Sequence, residues 1–238
     1  MNLISIKNLR KAFGGLVAVD GMNIDIEEGM ICGLIGPNGA GKTTLFNMLS
    51  GFYKQDEGEI IFSGKNISNL ESHERCAMGI ARTFQIPKMF PQMSFVNNVL
   101  IGALARTKSV DSAQIESEKI VDFLGMAEKK DALAGSLSVQ ELKRLEIAKA
   151  LATRPKVLLL DEPMGGMNVV EQNQMIGLLK KINDEGTTIF VVEHVMHAVA
   201  NLCERVVVMN SGQKIVEGTP QEVLQNDDVV KVYLGEED

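Results

Sequence analysis

Gly36-Pro37-Asn38-Gly39-Ala40-Gly41-Lys42-Thr43 satisfies the spacing G-x-x-x-x-G-K-[ST]. It is entered from the apolar run Met30–Ile35, which reads as a short buried strand, and it opens a stretch to about Ser50 that reads as helix. Glycines let backbone N–H groups turn inward around phosphate oxygens, and the helix N-terminus adds partial positive charge. Lys42 then reaches the outer phosphates and the Thr43 hydroxyl is a ligand for Mg²⁺. Taken alone the stretch is also a Gly-rich turn; its full spacing and both flanks favour the phosphate site.

Strand signals precede this site at Leu3–Leu9 and Gly21–Ile26 and follow it at Gly58–Phe62 and Ala81–Phe84. From residue 94 to 154 they stop, and Phe95–Arg106, Ser112–Leu124 and Ser138–Thr153 show apolar residues at helical spacing, an expected inserted lobe. After Pro155 the order is strand Val157–Leu160, helix Val170–Glu185, strand Thr188–Val192, helix Val195–Leu202, strand Arg205–Met209 and a hairpin about Ser211-Gly212. Such alternation implies a parallel sheet covered by helices. Residues 1–93 and 155–238 therefore form one core interrupted by 94–154, with C-terminal helices closing the second part and a short acidic end at residues 235–238.

Asp161 and Glu162 follow the apolar run Leu158–Leu160, at a strand end where ligands of parallel sheets collect. Metal and base require separate carboxylates in phosphoryl transfer, so Asp161 is assigned to the Mg²⁺ shell and Glu162 to the attacking water. Gln85 is uninformative by itself. His194, past another strand end, suits either a γ-phosphate donor or a solvent-facing cap. On the helix from Ser138, Lys143, Arg144, Lys149 and Arg154 beside Glu141 and Glu146 read as a solvated face with paired charges. The methionines, among them Met89, Met93, Met164 and Met167, read as gap fillers.

The 238 residues exceed the usual ~100–200 of one domain, which suits one large or lobed domain. Apolar residues at 45% and charged residues at 23% exclude a disordered chain. With 31 acidic and 24 basic residues the net charge is −7, so no overall positive field gathers nucleic acid. Cys32, Cys76 and Cys203 are too few and too scattered for a disulfide framework, the pattern of a cytosolic protein. No apolar run approaches the ~20 residues of a membrane span, and Met1–Arg10 holds no signal-peptide core.

Together, Phe13-Gly14-Gly15-Leu16, Gly36 through Thr44, Ala81-Arg82-Thr83-Phe84-Gln85, Phe90-Pro91-Gln92-Met93, Leu145-Glu146-Ile147-Ala148, Glu193-His194 and Glu217-Gly218-Thr219-Pro220 resemble the ATP-binding subunits of ABC transporters, specifically the Liv-type ATPases of branched-chain amino-acid import. The resemblance covers essentially the whole chain. It implies an α/β P-loop NTPase of ABC type with a mixed β core, an inserted all-helical lobe and a β subdomain on the N-terminal side. It implies Phe13 stacked on adenine, Gln85 at the Mg²⁺ shell reporting to a membrane partner, and His194 at the γ-phosphate. It also implies a head-to-tail pair with a second ATPase, identical or a paralogue, in which Ser138 and Gln140 of the signature segment face the partner's ATP and Gly166-Met167-Asn168 crosses the pair. Integral-membrane permease subunits, an external solute-binding protein acting indirectly, and a place on the inner face of the plasma membrane complete the expectation. The signature departs from the pattern, since Leu137-Ser138-Val139-Gln140-Glu141 carries Gln140 where the family has glycine. That side chain either swings aside or holds the pair apart. A slowly hydrolysing regulatory subunit and a soluble ABC ATPase acting on nucleic acid or the ribosome are the other readings, separable by turnover and by copurification with a membrane protein.

Overall fold

The structure is a computed structural model and describes residues 1–234. Two sheets form it. Strands β1 (Asn2–Phe13) and β2 (Leu16–Glu27) pair as a long antiparallel ribbon, and β4 (Glu57–Phe62) and β5 (Lys65–Asn66) extend it to the order β2-β1-β4-β5. Alternation buries Ile4, Ile6, Ile24 and Ile26 on one face. The ribbon runs past the sequence expectation of Leu3–Leu9 because its distal half keeps Arg10 and Lys11 on the wet face, paired with Glu57 and Asp56. Such polar residues hide a strand from an apolar-pattern reading.

The second sheet has the order β10-β9-β3-β8-β7-β6. It contains β3 (Ile31–Ile35), β6 (Ile80–Arg82), β7 (Val157–Asp161), β8 (Thr188–Val192), β9 (Arg205–Asn210) and β10 (Gln213–Gly218). Only β10 runs antiparallel to its neighbour. Strands β3, β7 and β8 are buried throughout, which is why they read as unbroken apolar runs. One face, with Cys32, Leu34, Leu159 and Phe190, packs with helix α1 (Lys42–Leu49) against the ribbon. The other face, with Ile31, Ile35, Leu158 and Leu160, packs against α6 (Val169–Asp184) and α7 (Met196–Leu202).

Between β6 and β7 the chain forms only helices: α3 (Phe95–Leu104), α4 (Val110–Phe123) and α5 (Val139–Ala152), with two single 3₁₀ turns. They pack on one another around Phe95, Val99, Val121 and Leu145. Ser94, Ser109 and Ser138 cap their N-termini through side-chain oxygens. Helix α2 (Ser72–Met78), and α8 (Pro220–Leu224) and α9 (Asp227–Leu234) after β10, complete the described chain. The acidic end at residues 235–238 lies outside the described residues.

Candidate functional site

The turn that leaves β3 and Glu162, the residue after β7, face one cleft of about 580 Å³, while Asp161 at the end of β7 lies behind its wall. Its walls are the turn and first residues of α1 on one side, Gln85 and Glu162 on the other, and Phe13 with Leu16 at the outer end. The turn is forced by backbone contact. A Cβ on Gly41, whose φ is 102°, would lie 2.1 Å from the Ala18 carbonyl oxygen, and one on Gly36 would lie 2.0 Å from that of Met209. Any side chain there pushes the loop off β2 and β9. The first turn of α1 carries no acidic residue, so its partial positive charge is left for an anion.

Lys42 Nζ donates to the carbonyls of Gly36 at 2.7 Å and Pro37 at 2.8 Å, so the loop wraps its own lysine. Burial pulls the ammonium below its ordinary range, while Glu162 and Asp161 push the other way. Thr43 is exposed in the cleft beside Thr44. Asn38, Gly39 and Ala40 complete the wall on that side. At the outer end the half-exposed Phe13 ring packs edge-on against Tyr53 with centroids 5.2 Å apart, and Lys11 Nζ stands 5.4 Å from the Phe13 centroid. An aromatic propped in this way offers a free face for a flat ring.

The two carboxylates after β7 part company. Asp161 is buried, and the Arg82 guanidinium approaches its Oδ2 at 3.6 Å. Burial pushes the Asp161 carboxyl up and Arg82 opposes it. Arg82 also donates to Asn47 Oδ1 at 2.6 Å and Ser50 Oγ at 3.1 Å, tying β6 to the back of α1. Glu162 turns into the cleft because its backbone takes φ 49°, in the left-handed region, a strain on the order of 1–3 kcal/mol that only surrounding bonds hold in place. Its N–H donates to Val192 O at 3.0 Å and its carbonyl accepts from Lys143 Nζ. Gln85 Nε2 donates to Oε2 at 2.9 Å, and the His194 ring Nδ1 stands 3.7 Å from Oε1, beyond hydrogen-bond reach. Behind them Glu193 is buried, accepting from the N–H groups of Met164 at 2.8 Å and His194 at 3.1 Å. Burial raises its carboxyl above the usual range against those bonds.

Ser138 and Gln140 do not line this cleft. Ser138 caps α5 and forms a reciprocal box with Glu141, its N–H donating to Glu141 Oε2 at 2.8 Å. Gln140 lies in the first turn of α5 with its amide donating to Gln174 Oε1 on α6 at 3.2 Å, so its side chain is drawn sideways. Met167 and Asn168 of the expected crossing loop are at the start of α6, where Asn168 caps the helix.

The expected solvated face on α5 needs correction. Glu146 is only 5% exposed, Lys143 is drawn to Glu162, and Arg144 donates to Leu124 O at 3.1 Å. The i,i+3 pair is present, Glu146 with Lys149 at 2.6 Å, but it is turned inward. Arg82, Lys143, Tyr53 and Glu193 are thus site residues that sequence reasoning passed over. Their partners are distant in the chain, and the one available signal was the nearness of Arg82 and Glu193 to Gln85 and His194.

The ABC transporter family model matches residues 19–165, and the model of the branched-chain amino acid ATP-binding cassette transporter matches residues 213–238. The high-affinity branched-chain amino acid transport ATP-binding protein BraF of Pseudomonas aeruginosa is 36% identical over 98% of both chains. A probable LivG protein of Archaeoglobus fulgidus is 38% identical over 100% of this chain and 97% of its own. Among solved structures, a nucleotide-free ATP-binding cassette from an ABC transporter superposes with a TM-score of 0.91 at 34% identity, covering 99% of this chain and 100% of that one. A dimeric bacterial ABC transporter cassette gives 0.83 at 26% identity, covering 91% and 98%. By fold, cleft and sequence alike, the chain belongs to the family of ABC transporter ATP-binding proteins.

Proposed function

We propose that this chain binds ATP in the cleft between Phe13 and Glu162 and hydrolyses it to drive the import of branched-chain amino acids through membrane subunits. The observation that carries the reading is the facing of Glu162 and the Lys42 loop across one cleft, with Gln85 between them. Adenine stacks on Phe13. The triphosphate lies along the N–H groups of residues 36 to 44 with Lys42 at its outer end, and the ammonium exchanges its loop carbonyls for phosphate oxygens. Glu162 takes the proton of the attacking water, and His194 donates toward the γ-phosphate.

The donor set suits Mg²⁺. Thr43, Gln85 and Asp161 offer only oxygen ligands, and no group of three His, Cys, Asp or Glu among the described residues builds a closed metal cage. That matches a cation that keeps waters and substrate phosphates as ligands, which supplies charge neutralisation for the departing phosphate.

A second cassette, identical or a paralogue, supplies its Ser138 and Gln140 to this cleft in a head-to-tail pair, and residues 166–168 cross between the two. The absence of these residues from their own cleft supports that division of labour. Residues 1–93 and 155–238 act as the core and 94–154 as the lobe. Between them an apolar groove of about 360 Å³, with Phe52, Phe84 and Ile101 on its walls, faces outward. We assign it to the permease subunits, which places the protein peripherally on the cytoplasmic face of the membrane and links it indirectly to an external binding protein. No helix among the described residues is long and apolar enough to cross a membrane. Coexpression with the candidate permease pair and reconstitution in vesicles tests this. The reading predicts ATP hydrolysis stimulated by a leucine-loaded binding protein, and hydrolysis indifferent to every branched-chain amino acid contradicts it.

A further inference from the structure

Behind Glu162 and His194, both oxygens of one buried carboxylate are given over to main-chain N–H groups. Glu193, the residue after β8, is 1% exposed. Its Oε1 accepts from the Met164 N–H at 2.8 Å, and its Oε2 accepts from the N–H groups of His194 at 3.1 Å and Val195 at 3.4 Å. Its own N–H donates to Leu34 O at 3.3 Å, on the strand that enters the phosphate loop. One side chain therefore joins two segments that leave the adjacent strands β7 and β8, the turn that begins at Glu162 and the stretch that carries the His194 ring.

The two segments differ in what else holds them. Glu162 donates its N–H to Val192 O, and its carbonyl accepts from Lys143 Nζ and from the Gly165 N–H, which closes the turn. His194 has no such anchors. Among the described residues its one hydrogen bond is the one its N–H donates to Glu193, and its half-exposed ring stands 3.7 Å from Glu162 Oε1 without bonding. Helix α7, which follows, has no side-chain cap at Val195.

Burying a carboxylate costs hydration, which these charge-assisted N–H bonds offset. The residue type follows from the number of acceptors. A glutamine has a single acceptor oxygen and turns its NH₂ group against the N–H of either Met164 or His194, and an aspartate is one methylene short. We propose that Glu193 is a positioning residue that seats His194 against the Glu162 turn, so that the histidine ring and the base carboxylate keep their spacing while both address the γ-phosphate. This deepens the reading of Glu162 as the base and His194 as the γ-phosphate donor, and rests on it. Glu193 does not line the cleft, so its replacement leaves the capture of ATP by Phe13 and the Lys42 loop in place.

Two measurements on the 238-residue chain test it. Hydrogen exchange compares the parent with Glu193→Ala and Glu193→Gln, each checked for an unchanged far-ultraviolet spectrum. Exchange is expected to be about tenfold faster at the amides of Met164 and His194 in Glu193→Ala, and at one of the two in Glu193→Gln, with β8 still protected. Where Glu193→Ala does not fold, the near-isosteric Glu193→Gln carries the test. Unchanged exchange at both amides in folded Glu193→Gln overturns the proposal, and this readout does not depend on ATP hydrolysis.

The second measurement is single-turnover ATP hydrolysis with the protein in excess, which also reads slow forms. Glu193→Gln is expected to slow hydrolysis about tenfold, the loss of one hydrogen bond to a charged group, with ATP affinity within about twofold. In a His194→Ala background the same change is expected to slow it less than about twofold, because the seating acts through the histidine. Equal loss in both backgrounds marks Glu193 as merely structural and overturns the proposal. If the parent hydrolyses ATP no faster than its Glu162→Gln form, the base assignment fails instead, and the exchange result alone upholds or overturns the seating of His194.

Discussion

Gln85 donates its side-chain amide to Glu162 Oε2 at 2.9 Å although 77 positions separate the two residues. Strands β6 and β7 run parallel and adjacent, so both exits arrive at the same edge of the sheet. The bond occupies one carboxylate oxygen and leaves the other toward His194. The Gln85 side chain thus stands against the carboxylate on the same wall of the cleft.

Lys42→Ala is expected to weaken ATP binding about 10–100-fold, the worth of charged hydrogen bonds to phosphate, while the protein stays folded. The ammonium is held by the carbonyls of Gly36 and Pro37 in its own loop. Equilibrium titration with a fluorescent ATP analogue checks this, and unchanged affinity contradicts the phosphate assignment.

Gln140 is drawn toward Gln174, so the two residues should act as a unit. Gln174→Ala frees the amide to swing toward a partner's phosphate and is expected to lower dimer turnover, whereas in a Gln140→Gly background it should change nothing. Glycine in the first turn of α5 costs roughly 0.5–1 kcal/mol of stability. Steady-state rates against protein concentration for the four forms decide the matter.

The fold was legible wherever a segment is buried on one or both faces. The runs at Ile31–Ile35, Val157–Leu160 and Thr188–Val192 and the serine-capped helices of the lobe needed no tertiary information. Helix α2 escaped because it buries mainly Arg75, a polar residue that no apolar pattern reports. Helix α8, one of the helices expected at the end of 155–238, opens on Thr219-Pro220-Gln221-Glu222, a capping box with proline at the helix start. At the site, the loop and the carboxylates announce themselves by spacing. Lys143 and Glu146 do not, because a charge on a helix looks solvated until its distant partner, here the Glu162 carbonyl or the residue 88 N–H, is known.

The cap that begins α5 should be acid-sensitive. Glu141 sits below the ordinary carboxylate range chiefly because the Ser138 N–H donates to it, with Lys129 helping and desolvation opposing. The folded chain therefore binds this proton less readily than the unfolded one. Its contribution is complete above pH 4.5 and is lost as the pH falls through the lower folded value. Protection of the first-turn amides of α5 should fall in that window and become insensitive to it in Glu141→Gln, as read by hydrogen exchange between pH 3 and 6, roughly the titration range of carboxyl groups.

Arg75 is 1% exposed and, among the described residues, donates only to carbonyls, those of Met48, Leu49, Ser68 and Leu70. It closes the end of α1 opposite the phosphate loop. Arg75→Met leaves these oxygens without a donor and is expected to cost about 3–5 kcal/mol, the scale of a broken buried polar cluster. Urea unfolding checks it; a loss below about 1 kcal/mol would mean that water replaces the guanidinium.

The central claim is that Glu162 is the base for ATP hydrolysis in this cleft. Glu162→Gln retains the side-chain shape and the carbonyl bond to Lys143 while removing the proton acceptor. Measured side by side, ATP binding and steady-state turnover of the two forms separate substrate capture from chemistry. The account predicts ATP affinity within a few-fold of the parent and turnover reduced about 10²–10⁴-fold, the range of a positioned general base. Turnover equal to the parent at unchanged affinity would contradict it.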